Sequence, residues 1–153
     1  MKRLDQRGTF KILYVTSLAW AVAQGLKVLI YYVRNRKFNF RLFVGTGGMP
    51  SSHSAYVCSL ATALGIETGW DSPVFLLSVG MAIVIMTDAA GVRRAAGQQA
   101  KILNEIMEDL NRSKPVPQQR LKELLGHTPV QVIVGAFLGI AIAAVFYALA
   151  GLK

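Results

Sequence analysis

Apolar residues in this chain come in long uncharged runs, separated by short polar and basic segments, a pattern that predicts membrane-embedded helices. The run at 130–152 has only Gln131 and Tyr147 as notably polar positions and matches the ~20 residues a helical span needs. The run at 10–33 is long enough but is interrupted by Lys11, Gln24 and Lys27. The run at 72–87 is uncharged and slightly short. A further run, 51–68, opens on Ser51, Ser52, His53 and Ser54 before turning apolar. A helix is again expected there, because unpaired backbone is not tolerated against lipid. The pattern predicts an all-α integral membrane bundle of about four embedded helices, one of them marginal, in a single domain over residues 1–153.

A different pattern fills the interval before the last run. Over 91–112, Val92, Ala96, Leu103, Ile106 and Leu110 recur at helical spacing and make one apolar face. Lys101 with Glu105, and Glu108 with Arg112, sit one turn apart on the other face and support the helix weakly. The segment reads as an amphipathic interfacial helix or one packed on the bundle. Ser113-Lys114-Pro115-Val116-Pro117 breaks it, and a short helix over 118–125 is expected to end at Gly126, a natural left-handed cap.

Composition agrees with the pattern. The 153 residues are 53% hydrophobic, with a mean hydropathy of +0.41 and a net charge of +9. The charge sits in clusters between apolar runs, which argues against a nucleic-acid partner, whose binding protein would spread basic groups over a polar surface. The single cysteine, Cys58, forbids an intrachain disulfide. The basic start, MKRLDQRGTF, precedes an apolar run without a small-residue cleavage site and reads as a retained first span. If all four runs cross, the connections 34–50 and 88–127 share one side. They carry Arg34, Arg36, Lys37, Arg41, Arg93, Arg94, Lys101, Arg112, Lys114, Arg120 and Lys122, against Lys2, Arg3, Arg7, Lys11 and Lys153 opposite. The positive-inside bias makes the richer side cytoplasmic, in an inner or plasma membrane.

The two histidines, His53 and His127, each stand at or just before the start of an apolar helix, on that same side. His53 follows the turn Gly45-Thr46-Gly47-Gly48-Met49-Pro50 and is surrounded by Ser51, Ser52 and Ser54. Glycines let backbone N–H groups approach an anion, and a helix N-terminus favours negative charge. The bland alternative is a polar helix cap at the membrane interface. Lys27 and Arg34 are seven apart, about two turns, and so share one helical face. Lys27 is otherwise a snorkelling residue near a span end. Thr128-Pro129-Val130-Gln131 has the form of a capping box.

Pro50-Ser51-Ser52-His53 resembles the second signature, usually Pro-Ser-Gly-His, of the type 2 phosphatidic acid phosphatase and vanadium haloperoxidase superfamily. From Lys27 onward the chain resembles that superfamily's divergent branch of small membrane proteins. Gly47-Gly48-Met49-Pro50-Ser51-Ser52-His53-Ser54 is the specific part, supported by Asp88-Ala89-Ala90-Gly91-Val92-Arg93-Arg94 and Leu125-Gly126-His127-Thr128-Pro129-Val130-Gln131-Val132. The first signature is a lysine and an arginine at the spacing of Lys27 and Arg34, followed by proline; Asn35 stands in its place. The third places an arginine shortly before a histidine and an aspartate one turn after it. His127 fits the histidine, Gln131 takes the aspartate position, and the nearest arginines, Arg93 and Arg94, lie far upstream.

What the resemblance implies is a phosphatase acting through a phosphohistidine. His127 would be the nucleophile and His53 the general acid and then base. Lys27, Arg34, Ser51, Ser52, Gly48 and Arg93 or Arg94 would hold the phosphate. Gln131 would orient the His127 ring, or simply cap the last helix; Asp88, or Glu123, would supply an orienting carboxylate, Asp88 being otherwise a surface charge. No metal or other cofactor is called for. The substrate would be a lipid or isoprenoid phosphomonoester or diphosphate, handled on the cytoplasmic side. Competing readings are a catalytically inactive relative that binds anionic lipid or a lipid phosphate, a vanadate-holding haloperoxidase, and a membrane scaffold. A homo-oligomer is also expected, since a short helix such as the second needs partners to cover its polar face.

Overall fold

A computed structural model of the chain describes residues 6–36, 48–113 and 127–151, except the side chains of 92–94 and 109–113. The described residues form helices and connecting turns: α1 Gln6–Asn35, α2 Ser52–Thr68, α3 Pro73–Ala90, α4 Val92–Ser113 and α5 Pro129–Leu149. The expected short helix at 118–125 lies outside the described residues. Among the described residues, three stretches are long and apolar enough to cross a membrane: α1, the α3–α4 run Pro73–Glu108, and α5. With the helical bundle they make this an integral membrane protein of the expected class.

Helix boundaries follow from cap chemistry. Ser51, Ser72 and Thr128 are N-caps, their side-chain oxygens accepting from the N–H of Ser54, Phe75 and Gln131, and Pro73 and Pro129 open α3 and α5. Each cap occupies a donor that a helix start would otherwise leave unmatched. Gly69, at φ +100, ends α2 in a conformation that suits glycine and returns its N–H to the Gly65 carbonyl.

α2 is the centre of the bundle and touches α1, α3 and α5. Its closest neighbour is α5, and the cause is side-chain size. A Cβ at Gly135 would stand 2.3 Å from the Ser51 carbonyl oxygen, and one at Gly139 2.1 Å from that of Ala55. Glycine at both positions lets the two backbones meet, as small residues do at helix contacts in membranes. The matched order, Ser51 to Gly135 and Ala55 to Gly139, means that α2 and α5 run parallel. Further along, Ala63, Ala143 and Tyr147 pack with Ile12 and Val15 of α1. Ser59 donates its hydroxyl to the Val15 carbonyl at 3.4 Å, tying α1 to α2.

The outward faces are apolar instead of polar. Leu13, Leu29, Leu77, Val84 and Phe137 are all more than half exposed. In water such a surface would be an aggregation hazard; against acyl chains it is the ordinary outside of a bundle. Ser51, Ser52 and Ser54 of the polar first turn of α2 are buried within one chain. α4 follows α3 across Gly91 and touches, among the described residues, only α3. Ile102, Leu103 and Ile106 on its apolar face remain exposed, the arrangement of an interfacial helix and not of one packed on the bundle.

The close approach yields a test by contrast. Gly139→Ala drives a Cβ into the Ala55 carbonyl and should destabilise by about 1–3 kcal/mol, the cost of overpacking. Gly80 has open space around its would-be Cβ, so Gly80→Ala should be neutral or stabilise by about 0.5–1 kcal/mol through helix propensity. Thermal unfolding of both variants in one detergent, read by circular dichroism, checks the opposite signs.

Candidate functional site

Parallel packing brings the N-termini of α2 and α5 to one end of the bundle. There the Ser51 N–H donates to the Gln131 carbonyl at 3.1 Å. α1 and α3 run the other way, so their C-terminal ends arrive at the same place. The His127 N–H donates to the Ala89 carbonyl at 3.1 Å, pinning the start of α5 to the last turn of α3. His53, in the first turn of α2, and His127, just before α5, thereby face each other with ring centroids 6.4 Å apart. His53 is half-buried and His127 only 3% exposed.

Gln131 serves both the cap and the ring. Its Oε1 accepts from the Thr128 N–H at 3.0 Å, completing the expected capping box, and stands 3.3 Å from His127 Nδ1. A backbone N–H can only donate, so the facing atom must be the oxygen. The neutral His127 ring then carries its hydrogen on Nδ1, and Nε2 holds the lone pair.

The cations form the second part of the site. Lys27 is 3% exposed, and its Nζ donates to Gln24 Oε1 at 2.6 Å. Among the described residues no carboxylate pairs with it. Lys27, Arg34, Gly48 and Gln131 line one cavity of about 450 Å³, with Ile30, Tyr31, Asn35 and Met49 completing the wall. Arg34 is exposed at its rim, two turns beyond the buried Lys27 on α1. Gly48 is doubly constrained: its φ is +85, and a Cβ there would lie 3.1 Å from Cγ of Lys27. Glycine thus both makes the turn and leaves room for the lysine stem.

Not every expected donor is available. The Ser51 N–H is spent on Gln131 and its Oγ accepts from Ser54, which leaves its hydroxyl hydrogen. Ser52 is buried in the first turn of α2. Asp88 is half-buried in the last turn of α3, next to the Ala89 carbonyl that holds His127. The side chains of Arg93 and Arg94 lie outside the described residues, as do Glu123 and Gly45-Thr46-Gly47. Gln24, which accepts from Lys27, and Tyr31, which lines the cavity, belong to no motif in the sequence. Gln24 and Tyr31 sit three before and four after Lys27, on its helical face, and that spacing was the available signal.

A family model described as "Divergent PAP2 family" matches residues 9–142. The "Uncharacterized membrane protein YuiD" of Bacillus subtilis (strain 168) is 44% identical, over 82% of this chain and 87% of its own length. No solved structure matches.

The tautomer argument is directly measurable, because the chain has only two histidines. In ¹⁵N spectra of histidine-labelled protein, one ring should show the Nδ1–H form. Gln131→Ala should mix its tautomers and destabilise the fold by about 1 kcal/mol through loss of the cap. An unchanged ring spectrum in that variant would refute the contact.

Proposed function

We propose that this chain, which belongs to the Divergent PAP2 family, hydrolyses a lipid or isoprenoid phosphomonoester or diphosphate within the membrane through a phosphohistidine. One observation carries the reading: a buried lysine without a carboxylate partner among the described residues lines a cavity together with Arg34, Gly48 and Gln131. A buried ammonium left uncompensated is costly, and an intramembrane ionisable group marks a ligand path by default. An anion in the cavity offsets that cost. Two parallel helix N-termini at the same end add positive potential.

In this mechanism His127 attacks phosphorus through Nε2, the nitrogen that the Gln131 contact leaves with the lone pair. The P–O bond to the leaving group breaks as the P–N bond forms, and His53 protonates the departing oxygen. His53 then takes a proton from water, which attacks the phosphohistidine, releases phosphate and restores the neutral ring. Lys27, Arg34 and the hydroxyls of Ser51 and Ser52 hold the phosphoryl oxygens, with Arg93 or Arg94 as a further cation. Asp88 acts on the His127 side of the site. The apolar surroundings select a phosphate on a hydrocarbon, and the excess of Lys and Arg in the connections 34–50 and 88–127 supports a cytoplasmic face.

A second reading has its own observation. The oxygen facing His127 Nδ1 is that of a neutral amide, which stabilises an imidazolium less than a carboxylate would. A relative that binds lipid phosphate without turnover fits that chemistry.

Phosphate release from a panel of lipid and isoprenoid phosphates by purified protein in detergent separates the two. Hydrolysis should fall at least about a thousandfold in His127→Ala and about 10²–10⁴-fold in His53→Ala, both variants remaining folded. Lys27→Met should weaken substrate binding about tenfold or more, as expected for a charge-assisted contact. A wild type that is inactive across the panel, yet binds lipid phosphate in a Lys27-dependent manner, establishes the second reading instead.

A further inference from the structure

His53 has a second environment, unlike the first. It closes one end of an apolar groove of about 190 Å³ that Lys27 does not line. The floor is α2, through Tyr56 and Leu60; one wall is Trp20 of α1 and the other is Met81 and Ile85 of α3. α1 and α3 do not touch among the described residues, so nothing there roofs the groove. Trp20 and Met81 are exposed on the lipid-facing surface at its edges. From His53 to Leu60 the floor runs two turns, about 10 Å down the helix from the histidine pair toward the middle of the bundle.

We propose that this groove seats the part of the substrate's hydrocarbon chain nearest the phosphate, and that the substrate enters sideways from the bilayer between α1 and α3. The inference rests on the phosphatase reading and adds to it a path, an orientation and residues that select the substrate. A lipid phosphate needs an apolar channel and an anion site that meet at one point. Here the groove ends on His53, His53 faces His127, and Gln131 joins His127 to the cationic cavity. The chain lying on α2 brings the oxygen that links it to phosphorus beside His53, the group assigned to protonate that oxygen. Because the chain is already among acyl tails before it binds, the groove selects by shape and not by hydrophobic transfer. Met81, at the open edge, is the residue whose size governs entry.

The test compares hexadecyl phosphate in mixed micelles with water-soluble ethyl phosphate, which is too short to occupy the groove. Met81→Trp narrows the entrance and should lower kcat/KM for hexadecyl phosphate about tenfold or more, the scale of a steric misfit in a binding pocket. Its rate on ethyl phosphate should stay at the wild-type level. Val79→Trp is the control, since Val79 lines a different cavity, between α2, α3 and α5; it should leave both rates unchanged. A folded Met81→Trp protein with wild-type kcat/KM for hexadecyl phosphate overturns the groove. If the wild type releases phosphate from neither compound, the phosphatase reading fails and binding decides the groove separately. A hexadecyl phosphate with a photoreactive diazirine on its chain should then label residues 56–60 and 78–85, and unlabelled hexadecyl phosphate should displace it. Labelling spread evenly over the lipid-facing helices, without displacement, overturns the groove in that case.

Discussion

Everything at the candidate site depends on how closely α5 lies against α2. Two carbonyl oxygens of α2, those of Ser51 and Ala55, occupy the space that side chains at positions 135 and 139 would need. No hydrophobic force draws helices together inside a bilayer, so contact area and backbone approach must do so. The glycines permit that approach, and it sets the register of two parallel helices. Register then brings Ser51 to Gln131, and with them His53 to His127. Sliding α5 by one turn would carry His127 about 5 Å along the axis, away from both its Ala89 anchor and its partner ring.

The electrostatics follow from the same arrangement. Parallel α2 and α5 present two positive helix ends side by side, an unfavourable pairing if nothing negative lies between them. Antiparallel α1 and α3 bring negative ends to the same level, which relieves part of the strain. Yet α1 carries Lys27 and Arg34 near its end and restores the positive balance. The buried position of Lys27 makes this more than a surface charge, since its single described partner, the Gln24 oxygen, is neutral. Such an end of the bundle is stabilised by an anion and raises its own energy without one.

How much of this could be read from the residues differs by level. The spans and helix starts were legible, because Ser51, Ser72 and Thr128 are cap residues before apolar runs and Thr128-Pro129-Val130-Gln131 spells out its box. The pairing of His53 with His127 was legible as shared sidedness, through the count of crossings. Gly135 and Gly139 gave no direct sign that they meet α2, since small residues at that spacing suit any close helix contact. The choice between cap and ring partner for Gln131 was open for a physical reason: one amide oxygen has two lone pairs and serves both groups. The groove beside His53 was hidden because its walls come from three helices, and Trp20, Met81 and Ile85 have nothing in common along the chain.

Gln131 also bears on what kind of catalyst the proposed mechanism allows. A carboxylate at that position would hold the His127 ring and offset positive charge as the P–N bond forms. The amide holds the ring equally well but leaves that charge to the surroundings, which are already positive from two helix ends, Lys27 and Arg34. Attack itself requires a neutral ring, whereas the covalent intermediate carries positive charge on it. Readiness to attack and support of the covalent intermediate therefore pull against each other. Asp88, half-buried one residue from the Ala89 anchor, is the described carboxylate placed nearest along the chain to ease that conflict. Under this reading the site binds phosphate firmly and turns it over slowly, and the rate is set by how much negative charge the end of α3 brings to His127.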